Sequence, residues 1–321
     1  MKTKIVYTLV SAESDYYIEQ TLVSMYSLRK HNSTCHIVLM TDTETLKSLH
    51  EKRARIKDYL NEIIVVNSPD GFNPIERSRF IKTSVRQHVD GDFLYIDNDT
   101  IIVDSLEAID SFDCEIGAVL DYHKLLNERN ERMGSNINGY LKKTKKLFWG
   151  NHQYFNSGVI YCKDTNDTHL FYNEWHNIWA EERKKFGIRF DQPSFAQANE
   201  KTHHIVQEID GAYNCQIMVN GCARFFLSPI IIHYYASAKL SFPLNNKDFL
   251  LKIRREGITE EIEYVIDNPQ IVYLENSHII SDEDFNIIQS PMGLLGRKLA
   301  RDCKWTNSIA KFIYRFKDIK L

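Results

Sequence analysis

The sequence contains no long apolar run: no stretch approaches the roughly 18 consecutive apolar residues that a membrane-spanning helix requires. The apolar run near the start, residues 5–10, is too short for the core of a signal peptide, and Ser11 and Glu13 end it. We therefore expect a cytoplasmic protein, in which residues 5–10 form a buried strand.

The sequence also has little net charge and no cysteine motif. Its 40 Lys and Arg residues and 43 Asp and Glu residues give a formal net charge of -3, which argues against nucleic acid as the partner. The six cysteines form no CxxC pair and no zinc-like spacing, and 321 residues can bury a large core without disulfides. We expect free thiols in a reducing compartment and no nucleic-acid partner.

The first third of the sequence does show a regular alternation of strand and helix patterns. Short runs rich in β-branched residues alternate with segments whose apolar residues recur every three or four positions. The predicted strands are residues 5–10, 36–41, 63–66 and 93–96, and the predicted helices between them cover residues 17–28, 46–56 and 77–89. This order predicts an α/β fold with a mostly parallel central sheet flanked by helices, in which ligands bind beyond the carboxyl ends of the strands.

The alternation is less regular after residue 115. Residues 115–120 and 157–162 are predicted strands, and residues 230–232 are predicted to be the last strand of the central sheet. The apolar helical face of residues 170–179 indicates core packing. The polar stretch 127–146 is interpreted as either a mobile lid or a solvated insertion.

The last 26 residues, 296–321, are strongly basic. They contain eight Lys and Arg residues against two Asp residues, an excess of six positive charges, and aromatic and aliphatic residues recur at near-helical spacing. This pattern is typical of a basic amphipathic helix that contacts an anionic membrane surface. A terminal helix that packs on its own domain with a solvated basic side remains the alternative.

Two carboxylates, Asp97 and Asp99, follow one predicted strand and precede another. Residues two positions apart in an extended chain project to the same side, so both can reach one cation. Oxygen ligands suit Mg²⁺ or Mn²⁺, which in turn bind the phosphates of a nucleotide. Residues 90–92 and 282–284 have the same spacing, but only Asp97 and Asp99 lie between two strands, where uncompensated carboxylates would cost desolvation energy.

Four segments resemble, in the correct order, motifs of glycosyltransferase family 8. They are GDFLYIDNDTIIVDSLEAI at 91–109, YFNSGV at 154–159, DQP at 191–193 and HYYASAK at 233–239. The resemblance covers roughly residues 4–243. It implies a GT-A fold, with a Rossmann-like sheet in a nucleotide-sugar-binding and catalytic domain at 1–245 and a small helical extension at 246–321.

The resemblance also implies a metal site and a diphosphate contact. Asp97, Asp99 and His233 would bind the metal, and the imidazole nitrogen makes Mn²⁺ more natural than Mg²⁺. Lys239 would reach the diphosphate of the donor. The glycine and proline of the family motif are replaced here by Ala236 and Leu240, so the loop is expected to close differently.

Two residues are candidates for catalysis by the same resemblance, Asp191 and Gln192. In the family the glutamine lies below the anomeric carbon and the aspartate orients sugar hydroxyls. Because the amide of Gln192 is a poor nucleophile, a front-face mechanism within an ion pair is favoured over a covalent intermediate. Asp191 also precedes a predicted helix that starts at Gln192-Pro193, so it is predicted to cap that helix, and both roles can hold at once.

Further contacts with the donor are expected around these motifs. The end of the first strand is expected to cradle the uracil through backbone groups, a basic residue on the helix before residue 93 is expected to touch the phosphate or sugar, and polar residues are expected near the sugar. The candidate nucleotide-sugar-binding residues are Thr8, Leu9, Val10, Arg79, Lys82, Asp97, Asn98, Asp121, Asn156 and Lys239.

The resemblance implies a retaining glycosyltransferase with a UDP-hexose donor, UDP-galactose or UDP-glucose, and the candidate metal site implies that the enzyme is metal-dependent. The expected acceptor is a glycan or glycolipid of bacterial surface polysaccharide or lipopolysaccharide, reached from the inner face of the membrane. One alternative is a nucleotidyltransferase, but residues 11–17 contain no glycine and no lysine, unlike the loop such enzymes carry after the first strand. The other is a non-catalytic nucleotide-sugar-binding module, which would have no need of Asp191 and Gln192.

Overall fold

The computed structural model describes residues 1–128, 135–145, 152–217, 223–235 and 242–275, together with 290–292 and 295. The chain divides into two compact units, Met1–Glu275 and Asn276–Leu321. The basic segment 296–321 lies outside the described residues, and so does Lys239.

The described residues contain ten strands and ten α-helices. The strands are β1 (Lys4–Leu9), β2 (Ile37–Thr41), β3 (Glu62–Val65), β4 (Phe93–Ile96), β5 (Thr100–Ile102), β6 (Ile116–Leu120), β7 (Phe155–Cys162), β8 (Val206–Glu208), β9 (Cys215–Gln216) and β10 (Ile231–His233). The helices are α1 (Tyr17–His31), α2 (Thr43–Ser48), α3 (Pro74–Thr83), α4 (Ser135–Thr144), α5 (Asn166–Phe186), α6 (Gln192–Lys201), α7 (Ala223–Phe226), α8 (Lys247–Glu256), α9 (Glu260–Asp267) and α10 (Pro269–Glu275).

Seven strands form the central sheet, in the order β3-β2-β1-β4-β7-β6-β8. The pairs β3–β2, β2–β1, β1–β4 and β6–β8 are parallel, and β7 runs antiparallel to both of its neighbours. The predicted fold class, an α/β protein with a mostly parallel central sheet, is therefore confirmed.

The core lies on both faces of this sheet, because successive side chains of a strand point to opposite sides. Along β1, Ile5, Tyr7 and Leu9 pack on the face covered by α1, whereas Val6 packs on the face covered by α3, α5 and α6. Burial on both faces explains why this strand reads as a continuous apolar run.

A second, three-stranded sheet has the order β5-β10-β9. The prediction that residues 230–232 form the last strand of the central sheet is therefore wrong: they contribute to β10, which pairs with β5 in the small sheet. A short apolar run specifies a buried strand but not its partner. The new partner matters, because β5 directly follows Asp99.

Two predicted helices are shorter than their patterns. The pattern across residues 46–56 is divided between α2 and the 3-10 helix Glu51–Asp58, and the pattern across 77–89 is divided between α3 and the 3-10 helix Val85–Gln87. Apolar spacing of three or four specifies a buried face, which both helix types can supply.

The helices α8 to α10 pack against the rest of the first unit rather than apart from it. Arg254 of α8 forms an ion pair with Glu19 of α1 at 2.7 Å and donates to the carbonyl of Glu13 at 2.8 Å. Glu19 is only 2% exposed, so this pair is shielded from solvent. The boundary at residue 245 stays a prediction.

The polar stretch 127–146 includes α4, and its role as a lid or an insertion stays a prediction. The Tyr140 hydroxyl of α4 donates to Glu182 of α5 at 2.5 Å, which attaches α4 to the domain. Within the described ranges, no helix is both long enough and apolar enough to span a membrane.

Candidate active site

The centre of the candidate site is a pair of carboxylates in the turn between β4 and β5. The backbone N–H of Asp97 donates to the carbonyl of Gly158 at 2.7 Å, which fixes the turn against β7. The Asn98 side chain donates to the carbonyl of Thr8 at 3.0 Å, which ties the turn to the end of β1. Asp97 and Asp99 therefore lie at the carboxyl ends of the central parallel strands, where ligands of such sheets bind.

His233 reaches these carboxylates through the register of the second sheet. In the antiparallel pair β5–β10, His233 pairs with Thr100, the residue after Asp99. Its Nε2 lies 3.3 Å from Oδ1 of Asp99. One ligand atom from each of Asp97, Asp99 and His233 lies within 4.8 Å of the other two. Strand pairing thus brings together the three residues that the sequence motifs named as metal ligands, which we call the metal triad.

Asn214 holds the His233 imidazole in one orientation. Nδ1 of His233 lies 3.0 Å from Oδ1 of Asn214, which can only accept, so Nδ1 carries a proton and Nε2 faces Asp99. The Asn214 amide is oriented in turn, because its Nδ2 donates to Oδ1 of Asn156 at 2.9 Å. Burial lowers the pKa of His233, but Asp99 and Asp97 outweigh it and raise that pKa overall.

Gly158 leaves the space that the metal triad occupies. A Cβ at this position would lie 2.5 Å from Cε1 of His233, 2.8 Å from Oδ1 of Asn156 and 3.0 Å from Oδ2 of Asp97. Real Cβ atoms do not approach neighbours this closely, so a larger residue would displace a ligand. This explains in physical terms why the FNSG segment ends in glycine.

A charge cluster made of Arg79, Lys82, Asp97 and Asp191 lies beside the triad, with Lys82 and Asp191 buried and the other two partly exposed. The helix α3 supplies both cations, and its start is fixed by a capping box between Asn73 and Glu76. Lys82 Nζ lies 3.0 Å from Oδ1 of Asp97 and 3.3 Å from Oδ2 of Asp191.

Arg79 completes this charge cluster on the side of Asp191. Nε of Arg79 lies 2.8 Å from Oδ1 of Asp191. Burial raises the pKa of Asp191, but Lys82 and Arg79 together hold it well below its usual range. Asp191 is therefore ionised.

Asp191 is the N-cap residue of α6, as predicted, but its side chain makes no capping hydrogen bond. The carboxylate instead accepts from the Ser157 hydroxyl at 2.9 Å and pairs with the two cations. Charge pairing across the core outweighs the local bond. Gln192, the first residue of α6, is half-buried and makes no side-chain hydrogen bond to any residue that the structure describes.

Asn156 connects the metal triad to a second polar network. Its Nδ2 donates to Oδ1 of Asp121 at 3.1 Å and to the Tyr235 hydroxyl at 2.9 Å. The Tyr235 hydroxyl donates to Gln216 at 2.9 Å, and its ring stacks on His233 with centroids 4.2 Å apart. These residues position the triad, while contacts of Asp121 and Asn156 with a donor or acceptor stay predictions.

A cavity of about 510 Å³ opens beside the carboxylates. The predicted donor-binding residues that line it are Thr8, Val10, Arg79, Asp97 and Asn98, and Asp99 lines it as well. Leu9 packs in the core, which leaves only its backbone for a ligand. Lys82 is buried and absent from the described lining.

Part of the cavity wall was not anticipated from the sequence. Asn245, Lys247 and Leu250 line it, although they follow the last recognised motif. Lys247 Nζ lies 6.0 Å from the ring centre of Tyr16, which also lines the cavity. No motif marks these residues: their position follows from the packing of α8 against α1.

The chain matches the sequence model of glycosyl transferase family 8 over residues 8–240. No curated protein is significantly similar to it in sequence. Among solved structures, it resembles the galactosyltransferase LgtC in complex with donor and acceptor sugar analogues, with 15% identity, a TM-score of 0.50, and coverage of 81% of this chain and 99% of LgtC. It also resembles the bifunctional glycosyltransferase WbbM, with 14% identity, a TM-score of 0.51, and coverage of 82% of this chain and 51% of WbbM.

A third similar structure is mouse xyloside xylosyltransferase 1, with 13% identity, a TM-score of 0.48, and coverage of 73% of this chain and 98% of that protein. At these identities a structural likeness shows the fold alone, and the fold is the predicted GT-A fold. The family match is broader evidence, because it spans well over half of the chain and includes the metal triad and the charge cluster. The chain therefore belongs to glycosyltransferase family 8 and is a glycosyltransferase.

Proposed function

We propose that this glycosyltransferase transfers a hexose, galactose or glucose, from a UDP-sugar to a glycan or glycolipid acceptor. The transfer uses a divalent metal and retains the anomeric configuration. The observation that carries the proposal is the convergence of Asp97, Asp99 and His233, with the two carboxylates lining a cavity large enough for a ligand.

The donor atoms of the metal triad fit a divalent cation that binds phosphate oxygens. Two carboxylates with one imidazole suit Mn²⁺ better than Mg²⁺, which prefers an all-oxygen shell. Anchoring of His233 Nδ1 by Asn214 supports this role, since metal-binding histidines usually bond through their other nitrogen to such a partner. When bound, the metal would offset the negative charge that develops on the departing diphosphate.

The basic residues around the cavity support binding of an anionic donor. The Arg79 side chain is 33% exposed and lines the cavity while its Nε holds Asp191, so its remaining N–H groups can donate to phosphate or sugar oxygens. The family resemblance adds Lys239 as a contact for the diphosphate. The end of β1, at Thr8 and Val10, offers backbone groups for the uracil.

The ionised state of Asp191 supports its role in orienting the sugar. A carboxylate that Lys82 and Arg79 keep charged can accept hydrogen bonds from sugar hydroxyls. We assign Gln192 to the neighbourhood of the anomeric carbon, where its amide oxygen can stabilise developing positive charge. Because this amide is a weak nucleophile, the acceptor oxygen is proposed to attack on the face from which the diphosphate leaves.

The acceptor and the location are proposed from the sequence. We propose that the acceptor belongs to bacterial surface polysaccharide or lipopolysaccharide, and that the enzyme is cytoplasmic and works at the inner face of the membrane. The basic segment 296–321 supports this location, since its excess of positive charge suits anionic lipids.

Hydrolysis of the donor tests the proposal directly. The full chain is incubated with a panel of nucleotide sugars in MnCl₂ or in EDTA, and the released nucleotide is measured. We expect free UDP from UDP-galactose or UDP-glucose only when the metal is present. Equal release in EDTA would refute metal dependence, and release from a different nucleotide sugar would refute the UDP-hexose donor.

A matched pair of variants links the activity to the metal triad. Loss of a residue that only supports a metal ligand typically costs about 100-fold or less. Asp99 is proposed to bind the metal directly, so Asp99→Asn is expected to lower the rate by more than ~100-fold. Asp90→Asn is the control, since the exposed Asp90 and the half-buried Asp92 have the same Asp-x-Asp spacing, and this variant is expected to keep full activity. Equal activity of the two variants would rule out the metal triad.

A further inference from the structure

Lys82 is a buried cation whose donors are all used by the protein. Its side chain is only 2% exposed. Its ammonium lies 3.0 Å from Asp97, 3.3 Å from Asp191 and 3.4 Å from the Ser157 hydroxyl. An ammonium group has three N–H donors, and its hydrogen bonds go to both oxygens of Asp97 and to the Ser157 hydroxyl, while Asp191 is held as an ion pair. It is expected to stay in place, because its departure would take a counter-ion from both carboxylates and leave Asp191 with Arg79 alone.

Asp97 is therefore shared between Lys82 and the proposed metal. Both carboxylate oxygens contact the ammonium, at 3.0 Å and 3.3 Å. Oδ1 also accepts from the Tyr95 hydroxyl at 2.5 Å. Lone pairs and negative charge used in these bonds are less available to a metal ion.

We propose that Lys82 is a positioning residue that weakens metal binding in the free enzyme and links it to Asp191. The inference rests on the metal site of the proposed function. A fixed positive charge beside Asp97 opposes a second cation, so firm metal binding needs the further oxygens of the donor diphosphate. Asp191 competes with Asp97 for the same ammonium, and a metal that draws on Asp97 therefore strengthens the pairing of Lys82 with Asp191.

Two variants are expected to change metal affinity in opposite directions. Lys82→Met removes the competing charge and keeps most of the apolar stem, and Arg79 still pairs with Asp191. We expect it to bind Mn²⁺ about tenfold more tightly than the unchanged protein in the absence of nucleotide. Asp191→Asn leaves Asp97 as the sole carboxylate partner of Lys82 among the described residues, so we expect it to bind Mn²⁺ several-fold more weakly.

The experiment is a titration of the full chain with Mn²⁺, followed by the electron paramagnetic resonance signal of the free ion, first without nucleotide and then with UDP. Lys82→Arg is the conservative control and is expected to bind Mn²⁺ as the unchanged protein does. Thermal unfolding in EDTA shows that each variant is folded. With UDP present, the difference between Lys82→Met and the unchanged protein is expected to shrink, because the diphosphate supplies its own ligands.

The outcomes separate this inference from the proposed function. If the unchanged protein binds no Mn²⁺ with or without UDP, the metal-dependent function itself is wrong. If it binds Mn²⁺ but Lys82→Met binds equally or more weakly, the inference is overturned and the metal site stands. Should Lys82→Met fail to fold, Asp191→Asn decides alone: unchanged or tighter Mn²⁺ binding in that variant overturns the inference.

Discussion

At the scale of single residues, the site depends on the missing side chain of Gly158. In Gly158→Ala, the new methyl group would lie 2.5 Å from Cε1 of His233 and 3.0 Å from Oδ2 of Asp97. We expect more than a tenfold loss of Mn²⁺ affinity and of donor hydrolysis, because one ligand must move. Overpacking of this kind costs about 1–3 kcal/mol in the free energy of unfolding, which urea denaturation would measure.

Gly139→Ala is the matched control for this substitution. Gly139 lies within α4, and a Cβ there would meet no atom within 4 Å. Alanine favours a helix over glycine by about 1 kcal/mol, so this variant should be active and equally or more stable. If Gly158→Ala bound Mn²⁺ as tightly as Gly139→Ala, the steric account of the triad would fail.

A second residue-scale prediction concerns Asn214, which accepts the Nδ1 proton of His233 at 3.0 Å. In Asn214→Ala the imidazole loses the partner that fixes its tautomer and ring orientation. Loss of such an outer-shell partner typically lowers metal affinity about 10–100-fold. Isothermal titration with Mn²⁺ measures the change, and an affinity equal to that of the unchanged protein would show that His233 does not depend on Asn214.

At the scale of elements, α8 contributes to a cavity that is lined mainly by residues of the family match. Lys247, its first residue, lines the cavity, whereas Lys252 of the same helix pairs with Glu261 of α9. We expect Lys247→Ala to weaken UDP binding roughly threefold to tenfold through loss of an exposed positive charge, while uridine binding stays the same.

Lys252→Ala is the control on the same helix and should leave both affinities unchanged. The effect of Lys247→Ala should also shrink at high salt, because exposed charges are screened. An equal loss of uridine affinity would mean that Lys247 shapes the pocket for the base instead of binding phosphate.

The elements also show what the sequence could and could not predict. The strand before Asp97 was predictable because burial on both faces leaves a continuous apolar run. The partner of β10 was not, since three apolar residues specify burial but no neighbour. The capping hydrogen bond that the Asp191 side chain does not make was not predictable either, because that side chain pairs with Lys82 and Arg79, which are more than a hundred residues away in sequence. Local patterns predict local structure, and contacts across the core override them.

At the scale of the whole molecule, membership in the family decides among the three functions that the sequence analysis considered. The match across residues 8–240 supports a glycosyltransferase and neither a nucleotidyltransferase nor a binding module without catalysis. The charge cluster agrees with this choice, because a buried carboxylate such as Asp191, held ionised by two cations, is energetically costly and suits a catalytic site.

The basic carboxyl-terminal segment, residues 296–321, lies outside the described residues. Deletion of residues 296–321 is expected to reduce binding to anionic vesicles, since each Lys or Arg near such a surface contributes about 1 kcal/mol. Hydrolysis of the donor should be unchanged. Sedimentation with phosphatidylserine vesicles measures the binding, with neutral phosphatidylcholine vesicles as the control. Equal sedimentation of the full and shortened chains would refute the membrane role.

The pairing of His233 with Thr100 has a consequence for biogenesis. Translation delivers the two aspartates early and the histidine well over a hundred residues later, so an emerging polypeptide lacks one of the three proposed ligands for most of its synthesis. On the proposed function, binding of a metal by all three residues would have to wait until β10 has docked on β5. Metal binding would then be a late step of folding, and a bound ion would indicate that these two distant parts of the chain have paired.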